Sequence, residues 1–266
     1  MSRLPCRIVC LSTETVEVLY LLGEAARIAG ISGFTTHPPQ ARKEKPKVSG
    51  FSSAKIDRIL AVEPDLVLAF SDLQGEIARD LVRAGLAVHV FNQRSVDGIL
   101  AMVETVGRLV GAEARALALV AGLEADIAAA RAAGEARIAR LGRRPRVYFE
   151  EWNDPLISGI RWVSELIHLA GGEDCFAELA VHAGAKARIL SGPEAVIPRA
   201  PEVIVGSWCG KHFQPAQVLA RPGWDALPAV RDGHVYEVKS AILLAPVVAA
   251  IREGLPALAA CLDRLG

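Results

Sequence analysis

The feature that most constrains the fold is a stretch without proline over residues 95–142. Apolar side chains recur in it at three- and four-residue steps over residues 99–110 and again over residues 117–127, as on one face of a helix. Gly111 separates the two stripes and predicts a break between two helices. The second helix, over residues 112–142, would be roughly 45 Å long at 1.5 Å per residue.

A helix of that length is longer than a crossover inside one sheet needs, so it predicts a rigid bridge between two lobes. Two ordinary surface helices, or the seam of a coiled-coil dimer, are the alternatives. The apolar stripe thins after Ile127 instead of persisting through heptads, and this favours the bridge.

The segments on either side of this stretch resemble each other. Residues 63–70 and residues 200–208 both read as a proline, an acid, a β-branched apolar run and an aromatic residue at or next to its end. Residues 84–91 and 231–238 both place a glycine turn before a short strand. The repetition predicts an α/β fold with two Rossmann-like lobes, joined by a long rigid helix, and a ligand cleft between the lobes. The predicted boundaries are 1–94 for the first lobe, 95–143 for the linker and 144–266 for the second lobe.

In the first lobe, a strand is predicted over residues 7–11, followed by a helix whose cap is Ser12 or Thr13. The lysine-rich residues 42–47 are predicted to form a solvated loop. A second helix is expected to be capped at Ser52 or Ser53.

The second lobe is predicted to start with a strand over residues 145–152 and to continue into a helix over residues 162–170. Gly171 ends that helix. A final helix is expected to be broken by Pro246 and Pro256.

Composition indicates a globular chain, because 52% of its 266 residues are hydrophobic and 23% are charged. The 30 basic and 30 acidic residues give zero formal charge, so the sequence lacks the basic footprint of a nucleic-acid-binding protein. No run approaches 18 apolar residues, and a membrane span is therefore not expected.

The cellular compartment is predicted from the amino terminus and the cysteines. Residues 1–6 enter the first strand without the apolar region and cleavage site of a secretory signal. The five cysteines are widely spread and form no Cys-x-x-Cys pair, which is typical of reduced thiols. We expect a cytoplasmic protein if Met1 is the native start, and a periplasmic one if the start lies upstream. A monomer is favoured.

In parallel α/β sheets, ligands bind outside the carboxyl ends of the strands. Aromatic and polar side chains are concentrated at these positions, which predicts a cleft that grips a large flat ligand by stacking and orients it by polar contacts. The candidate ligand-binding residues of the first lobe are Ser12, Thr13, Glu14, Phe34, His37, Phe51, Phe70, Ser71 and Asp72. Those of the second lobe are Glu151, Trp152, Asp154, Trp162, Trp208, Cys209, Lys211 and Trp224. The alternative is that such aromatic residues plug the ends of the two cores.

The sequence resembles the helical-backbone, or class III, solute-binding proteins of ABC transporters, which bind vitamin B12, haem and iron siderophores. The resemblance covers nearly the whole chain, including the opening at residues 8–15, the His-Pro-Pro loop at 37–39 and the long helical stretch. The cobalamin-binding subgroup is the most similar. Its Glu-Trp-x-Asp-Pro strand end is matched by residues 151–155, and its Ser-Trp-Cys-Gly-Lys turn by residues 207–211.

The resemblance implies a protein that holds a corrinoid, with no catalytic cofactor and no chemistry of its own. It also implies an ABC permease as partner, with Glu76 and Glu194 as the residues that dock on permease arginines. The chain departs from the family near its end, where Leu-Ala-Pro-Val at residues 244–247 stands in place of Pro-Gly-Pro.

Two alternative functions fit the same residues. A siderophore or haem binder of the same fold is the first alternative. An enzyme that modifies such a ligand is the second, because Glu150, Glu151, Asp154, Cys209 and Lys211 are expected to converge.

Three further kinds of site are disfavoured. Cys209 and His212 lie three residues apart in a loop, which is not the arrangement of a Cys/His nucleophile pair. The histidines His37, His182 and His212 show no tight metal-ligand spacing. No glycine-rich phosphate loop occurs in the sequence.

Overall fold

The computed structural model of the chain describes residues 4–265. These residues divide into two compact units. Within the described residues, unit 1 consists of residues 4–93 with Asp97–Gly122, and unit 2 of Arg94–Val96 with residues 123–265. The division falls within one continuous helix, so that the two predicted linker helices are shared between the units. None of the helices in the described part of the chain is long and apolar enough to cross a membrane.

Unit 1 is built on a parallel five-stranded sheet of order β3-β2-β1-β4-β5. Its strands are β1 (Ile8–Cys10), β2 (Ile28–Ser32), β3 (Lys47–Ser49), β4 (Leu66–Phe70) and β5 (Val88–Phe91). Its first four helices are α1 (Thr13–Leu21), α2 (Ala41–Glu44), α3 (Ile56–Leu60) and α4 (Gly75–Arg83). The strand order reverses beside β1, which is the position in a doubly wound sheet where ligands bind.

The helical stretch forms α5 (Val96–Val110) and α6 (Glu113–Leu141). The predicted break is confirmed, since Gly111 adopts φ +69°, a conformation that glycine tolerates without strain. Helix α6 has 29 residues, which corresponds to roughly 44 Å at 1.5 Å per residue.

Unit 2 contains the strands β6 (Arg146–Asn153), β7 (Leu156–Ser158), β8 (Glu173–Asp174), β9 (Val203–Gly206) and β10 (Val235–Glu237). The order is β10-β9-β6-β7, with β8 also pairing with β6. Its helices are α7 (Arg161–Leu169), α8 (Ala177–Ala180), α9 (Pro215–Leu219), α10 (Pro228–Arg231), α11 (Ser240–Leu243) and α12 (Leu255–Leu262). A π-helix over Ala250–Gly254 leads directly into α12.

The internal resemblance of the sequence corresponds to equivalent positions in the two sheets. Strand β1 pairs in parallel with β4, and β4 with β5. In the same way β6 pairs with β9, and β9 with β10. In each unit the repeated segments are therefore the second and third strands of a parallel trio. Strand β9 corresponds to β4, and strand β10 corresponds to β5.

Several local predictions were wrong. The lysine-rich loop contains helix α2 and the edge strand β3, which is three residues long and too short to show an alternating pattern. Helix α3 starts at Ile56, with Lys55 in the capping position, rather than at a serine cap. The antiparallel strand β7 was not predicted, because it follows directly on β6 and has no pattern of its own.

The carboxyl-terminal helices also differ from the prediction. Pro256 does not break the last helix, because it lies in the first turn of α12, where a missing N–H costs little. Pro246 lies between α11 and the π-helix, as the predicted break requires.

The core of unit 2 surrounds the aromatic ring of Tyr148. The rings of Phe176 and Trp224 approach it edge-on, each with a centroid distance of 5.7 Å. The Phe213 ring packs over β9 at Gly206, where an added Cβ would lie 1.9 Å from its carbon atoms. This packing therefore requires a residue without a Cβ atom, that is glycine, at position 206.

We predict that Gly206→Ala destabilises the protein by about 1–3 kcal/mol, because the methyl group overpacks the core beneath Phe213. Urea unfolding measures the change. Gly184→Ala is the matched control, because nothing lies within 4 Å of a Cβ at that position. Equal stability of the two variants would contradict the packing described here.

Candidate functional site

The carboxyl end of the unit 1 sheet is held together by Gln74, a fully buried residue in the turn after β4. Its amide nitrogen donates to the carbonyl of Leu11 at 3.0 Å and to that of Phe51 at 2.7 Å. Its amide oxygen accepts the backbone N–H of Phe70 at 2.9 Å. One side chain therefore joins the chain segments that follow β1 and β3 to the last residue of β4.

Thr13 positions the loop that carries His37. Its hydroxyl oxygen accepts the backbone N–H groups of Thr36 and His37, both at 3.0 Å. The predicted side-chain cap of α1 by Ser12 or Thr13 is therefore wrong. Ser12 occupies the N-cap position of α1 without a side-chain capping bond, and Thr13 holds a neighbouring loop instead.

Ser71 turns the chain sharply after β4. It adopts φ +71°, which is uncommon for a residue other than glycine. Its N–H donates to the carbonyl of Phe91 at 2.7 Å, and its hydroxyl accepts the N–H of Leu73 at 3.3 Å. As a result, the Asp72 and Leu73 side chains are exposed at this end of the sheet, and Leu73 is 62% exposed.

The predicted aromatic residues of unit 1 differ in exposure. Phe34 is 68% exposed and Phe51 is half-buried, whereas Phe70 is buried. Glu14, the acidic residue of the first turn of α1, is also buried. Phe34 and Leu73 are therefore the apolar side chains most available to a ligand at this end of unit 1.

In unit 2, a fully buried carboxylate lies close to the end of β6. Glu150 accepts two hydrogen bonds from the Arg221 guanidinium, at 2.6 and 2.8 Å. It also accepts the indole N–H of Trp208 at 2.9 Å and the hydroxyl of Tyr148 at 3.0 Å. Burial, followed by the charge of Glu150, raises the pKa of Tyr148 well above its usual value, so the hydroxyl stays protonated and donates.

The next residue is paired with a second arginine. The Arg188 side chain, 2% exposed, donates to the Glu151 carboxylate at 2.6 and 3.3 Å. It also donates to the carbonyl of Ser158 on β7 at 2.5 Å. Glu151 was predicted to contact the ligand, and the structure shows its carboxylate occupied by an arginine.

Beyond this pair, half-buried Trp152 lies under a lysine. The Lys211 Nζ atom lies 3.7 Å from the centroid of the Trp152 ring and 5.0 Å from that of Trp208. The Trp152 indole N–H donates to the carbonyl of Asp154 at 2.7 Å. The two sequence motifs around residues 151–155 and 207–211 are thus brought together, as the sequence predicts.

Cys209 lies in the same turn as Lys211 and is exposed. Packing around its sulfur, followed by the charge of Glu151, raises the pKa of the thiol above its usual value. The thiolate that a nucleophile or metal ligand needs is therefore disfavoured at this position. Residues 4–265 also contain no group of three or more His, Cys, Asp or Glu residues arranged to hold a metal ion.

The other three tryptophans are interior residues. Trp162 is 2% exposed and donates to the carbonyl of Leu243 at 2.7 Å. Trp224 is fully buried and donates to the carbonyl of Pro193 at 3.1 Å. Trp208 is 2% exposed. For these residues the alternative stated above, that aromatic side chains plug the core, describes what the structure shows.

The two candidate docking residues are both exposed. Glu76 lies in the first turn of α4 and forms an ion pair with Arg79. Glu194 lies in a three-residue 3-10 turn over Pro193–Ala195 rather than at the start of an α-helix.

The sequence did not predict the side chains that hold the carboxyl ends of the strands in the two units. They are Gln74 in unit 1 and Arg188 and Arg221 in unit 2. Their partners lie 63, 37 and 71 residues away in the chain. The available signal was indirect: a carboxylate in an apolar strand, such as Glu150, requires a buried cation.

The sequence model of the family described as "Periplasmic binding protein" matches residues 8–242. The chain belongs to the periplasmic binding protein family. This membership confirms the family resemblance, and two α/β units built on parallel strands, with a long helix, confirm the predicted fold class.

Individual relatives of this family member are binding proteins by name. The vitamin B12-binding protein of Vibrio campbellii is 27% identical over 241 residues, which cover 88% of this chain and 81% of that protein. The cobalamin-binding protein of Halobacterium salinarum is 30% identical over 204 residues, or 76% of this chain, but the match spans about half (53%) of that protein.

A solved structure shows the same architecture. The periplasmic heme-binding protein RhuT from Roseiflexus sp. RS-1, in its apo form, superimposes with a TM-score of 0.80 at 25% identity. The match covers 96% of this chain and 98% of that one.

We predict that Gln74→Ala lowers the free energy of unfolding by about 1–3 kcal/mol, because the buried N–H of Phe70 and the carbonyls of Leu11 and Phe51 lose their partner. Denaturant unfolding measures the loss. Gln40→Ala changes an exposed glutamine and should alter stability little. If both variants unfold alike, Gln74 does not hold the strand ends.

Proposed function

We propose that this chain is a solute-binding protein that holds a corrinoid, of the cobalamin type, for ABC-type uptake or for handling inside the cell. The observation that carries the proposal is the surface at the carboxyl ends of the unit 2 strands. There the two motifs of the cobalamin-binding subgroup meet around Trp152 and Lys211. The curated relatives named as vitamin B12- and cobalamin-binding proteins support the same ligand class.

The physical argument rests on what the surface offers. A corrin ring is large, flat and decorated with polar amide groups. Trp152 is half-buried, and Phe34 and Leu73 of unit 1 are exposed, so each unit presents apolar area at the carboxyl end of its sheet. Contacts of aromatic and aliphatic side chains with a flat ring bury apolar surface, while neighbouring amides and charges fix orientation.

We further propose that the protein binds its ligand without converting it. General acid–base catalysis needs an acid or a base that can exchange a proton with the reacting atom. Glu150 and Glu151 are each held by an arginine, and the pKa of Cys209 is raised. The two glutamates among the groups that suggested an enzyme are therefore engaged in ion pairs within unit 2.

A haem or siderophore ligand is the second candidate, and the similarity to a heme-binding protein of the same fold favours it. An ABC permease is the proposed partner, with Glu76 and Glu194 as docking residues. The compartment stays a prediction. Fractionation with thiol counting tests it, since all five cysteines are free in this structure.

We predict that purified protein binds cyanocobalamin in isothermal titration and that Trp152→Ala weakens binding by about 1–3 kcal/mol with little change in melting temperature. Tyr236→Ala, which alters a half-buried aromatic residue on β10, is the control and should keep wild-type affinity. Trp208→Ala should instead destabilise the fold, because Glu150 loses a buried donor.

The same titrations with haemin and a ferric hydroxamate decide between the ligand classes. Binding of either one, with no binding of cyanocobalamin, would replace the corrinoid proposal. Mass spectrometry of the bound ligand tests the absence of chemistry, and a converted product would establish the enzyme alternative.

A further inference from the structure

Three amide side chains and one lysine form a single hydrogen-bonded row on unit 2. Lys211 Nζ donates to Asn153 Oδ1, and Asn153 Nδ2 donates to Gln217 Oε1 at 3.1 Å. Gln217 Nε2 then donates to Gln214 Oε1 at 2.7 Å. We call Asn153, Gln217 and Gln214 the amide row. It joins the last residue of β6 to the start of α9, beside the Trp152 ring.

The amide row has hydrogen-bonding capacity of both kinds left over. A primary amide has two N–H donors and an oxygen with two lone pairs. Within the row, Asn153 and Gln217 each use one N–H, and each of the three oxygens accepts one bond. Gln214 and Gln217 are exposed, so unused donors and acceptors lie side by side at the surface.

The charges around the row nearly cancel. Glu150 and Glu151 are paired with Arg221 and Arg188, and so present no free carboxylate. Lys211, which donates to Asn153 and lies over the Trp152 ring, and the exposed Asp154 carry one charge of each sign. This surface is therefore polar but close to neutral, which suits a neutral ligand group better than an anionic one.

We propose that the amide row recognises the peripheral carboxamides of the ligand and selects an amide-bearing corrinoid over a tetrapyrrole that carries carboxylates. The inference rests on the proposed function and names the part of the surface that sets its specificity. A carboxamide both donates and accepts, so it can use both kinds of free capacity in the row. A carboxylate only accepts, so it offers no donor to the amide oxygens of the row, and the negative charge of the exposed Asp154 repels it.

The row has a purely structural alternative, in which it does no more than hold the segment before α9 against the end of β6. Under that alternative, a change at Gln217 would alter stability but leave the choice among ligands unchanged. Selectivity is therefore the readout that separates the two roles.

The test compares cyanocobalamin with the monocarboxylic acids made by hydrolysing one of its peripheral amides. Wild-type protein should bind cyanocobalamin at least about fivefold more tightly than the acid that places its carboxylate at the row. Gln217→Glu should weaken cyanocobalamin binding by at least about fivefold. Gln40→Glu, which adds the same charge at an exposed glutamine of unit 1, should leave the affinity unchanged.

Three results would overturn the inference, and they differ in what they imply. Equal affinity for cyanocobalamin and every acid, unaltered by Gln217→Glu, makes the row structural while the proposed function stands. If Gln217→Glu and Gln214→Glu both keep the wild-type melting temperature and the wild-type selectivity, residues outside the row set the selectivity. Failure to bind any corrinoid overturns the proposed function, and the amide preference with it.

Discussion

A charged carboxylate with no solvent exposure is costly unless its partners are present, and Glu150 imposes that condition on unit 2. Four donor groups meet it: two nitrogens of Arg221, the indole of Trp208 and the hydroxyl of Tyr148. These donors come from β6 itself, from the turn after β9 and from the segment after α9. A single buried charge thus fixes three chain segments relative to one another within this unit.

The positions of Trp152 and Lys211, at the same end of the sheet, depend on these contacts. Trp152 lies two residues after Glu150, and Lys211 lies three residues after Trp208, so both are held at their contact distance of 3.7 Å by neighbours anchored on the buried charge. Glu151 is anchored separately by Arg188. In unit 1, a neutral group joins the chain segments at the strand ends. The Gln74 amide both donates and accepts, so it holds three segments together without a charge.

The features with strong local signals could be predicted from the sequence. The two long helices and the break at Gly111 follow from apolar periodicity and from glycine geometry, and the fully buried strand β4 from an uninterrupted apolar run. The convergence of the two motifs at residues 151–155 and 207–211 was expected as well. The roles of Arg188 and Arg221 could not be predicted. In the sequence they look like any surface arginine, because the glutamates that they bind lie 37 and 71 residues earlier in the chain. The burial of Trp162 and Trp224 depends in the same way on long-range packing.

Hydrogen exchange of the protein with and without cyanocobalamin tests most directly whether the carboxyl ends of the sheets are the ligand surfaces. The account predicts slower exchange over residues 33–37 and 72–74 of unit 1 and over residues 151–154 and 209–217 of unit 2. Residues 231–234, at the opposite end of the unit 2 sheet, should exchange as before. Protection confined to that opposite end, or no protection at any of these segments despite saturating ligand, would contradict the account.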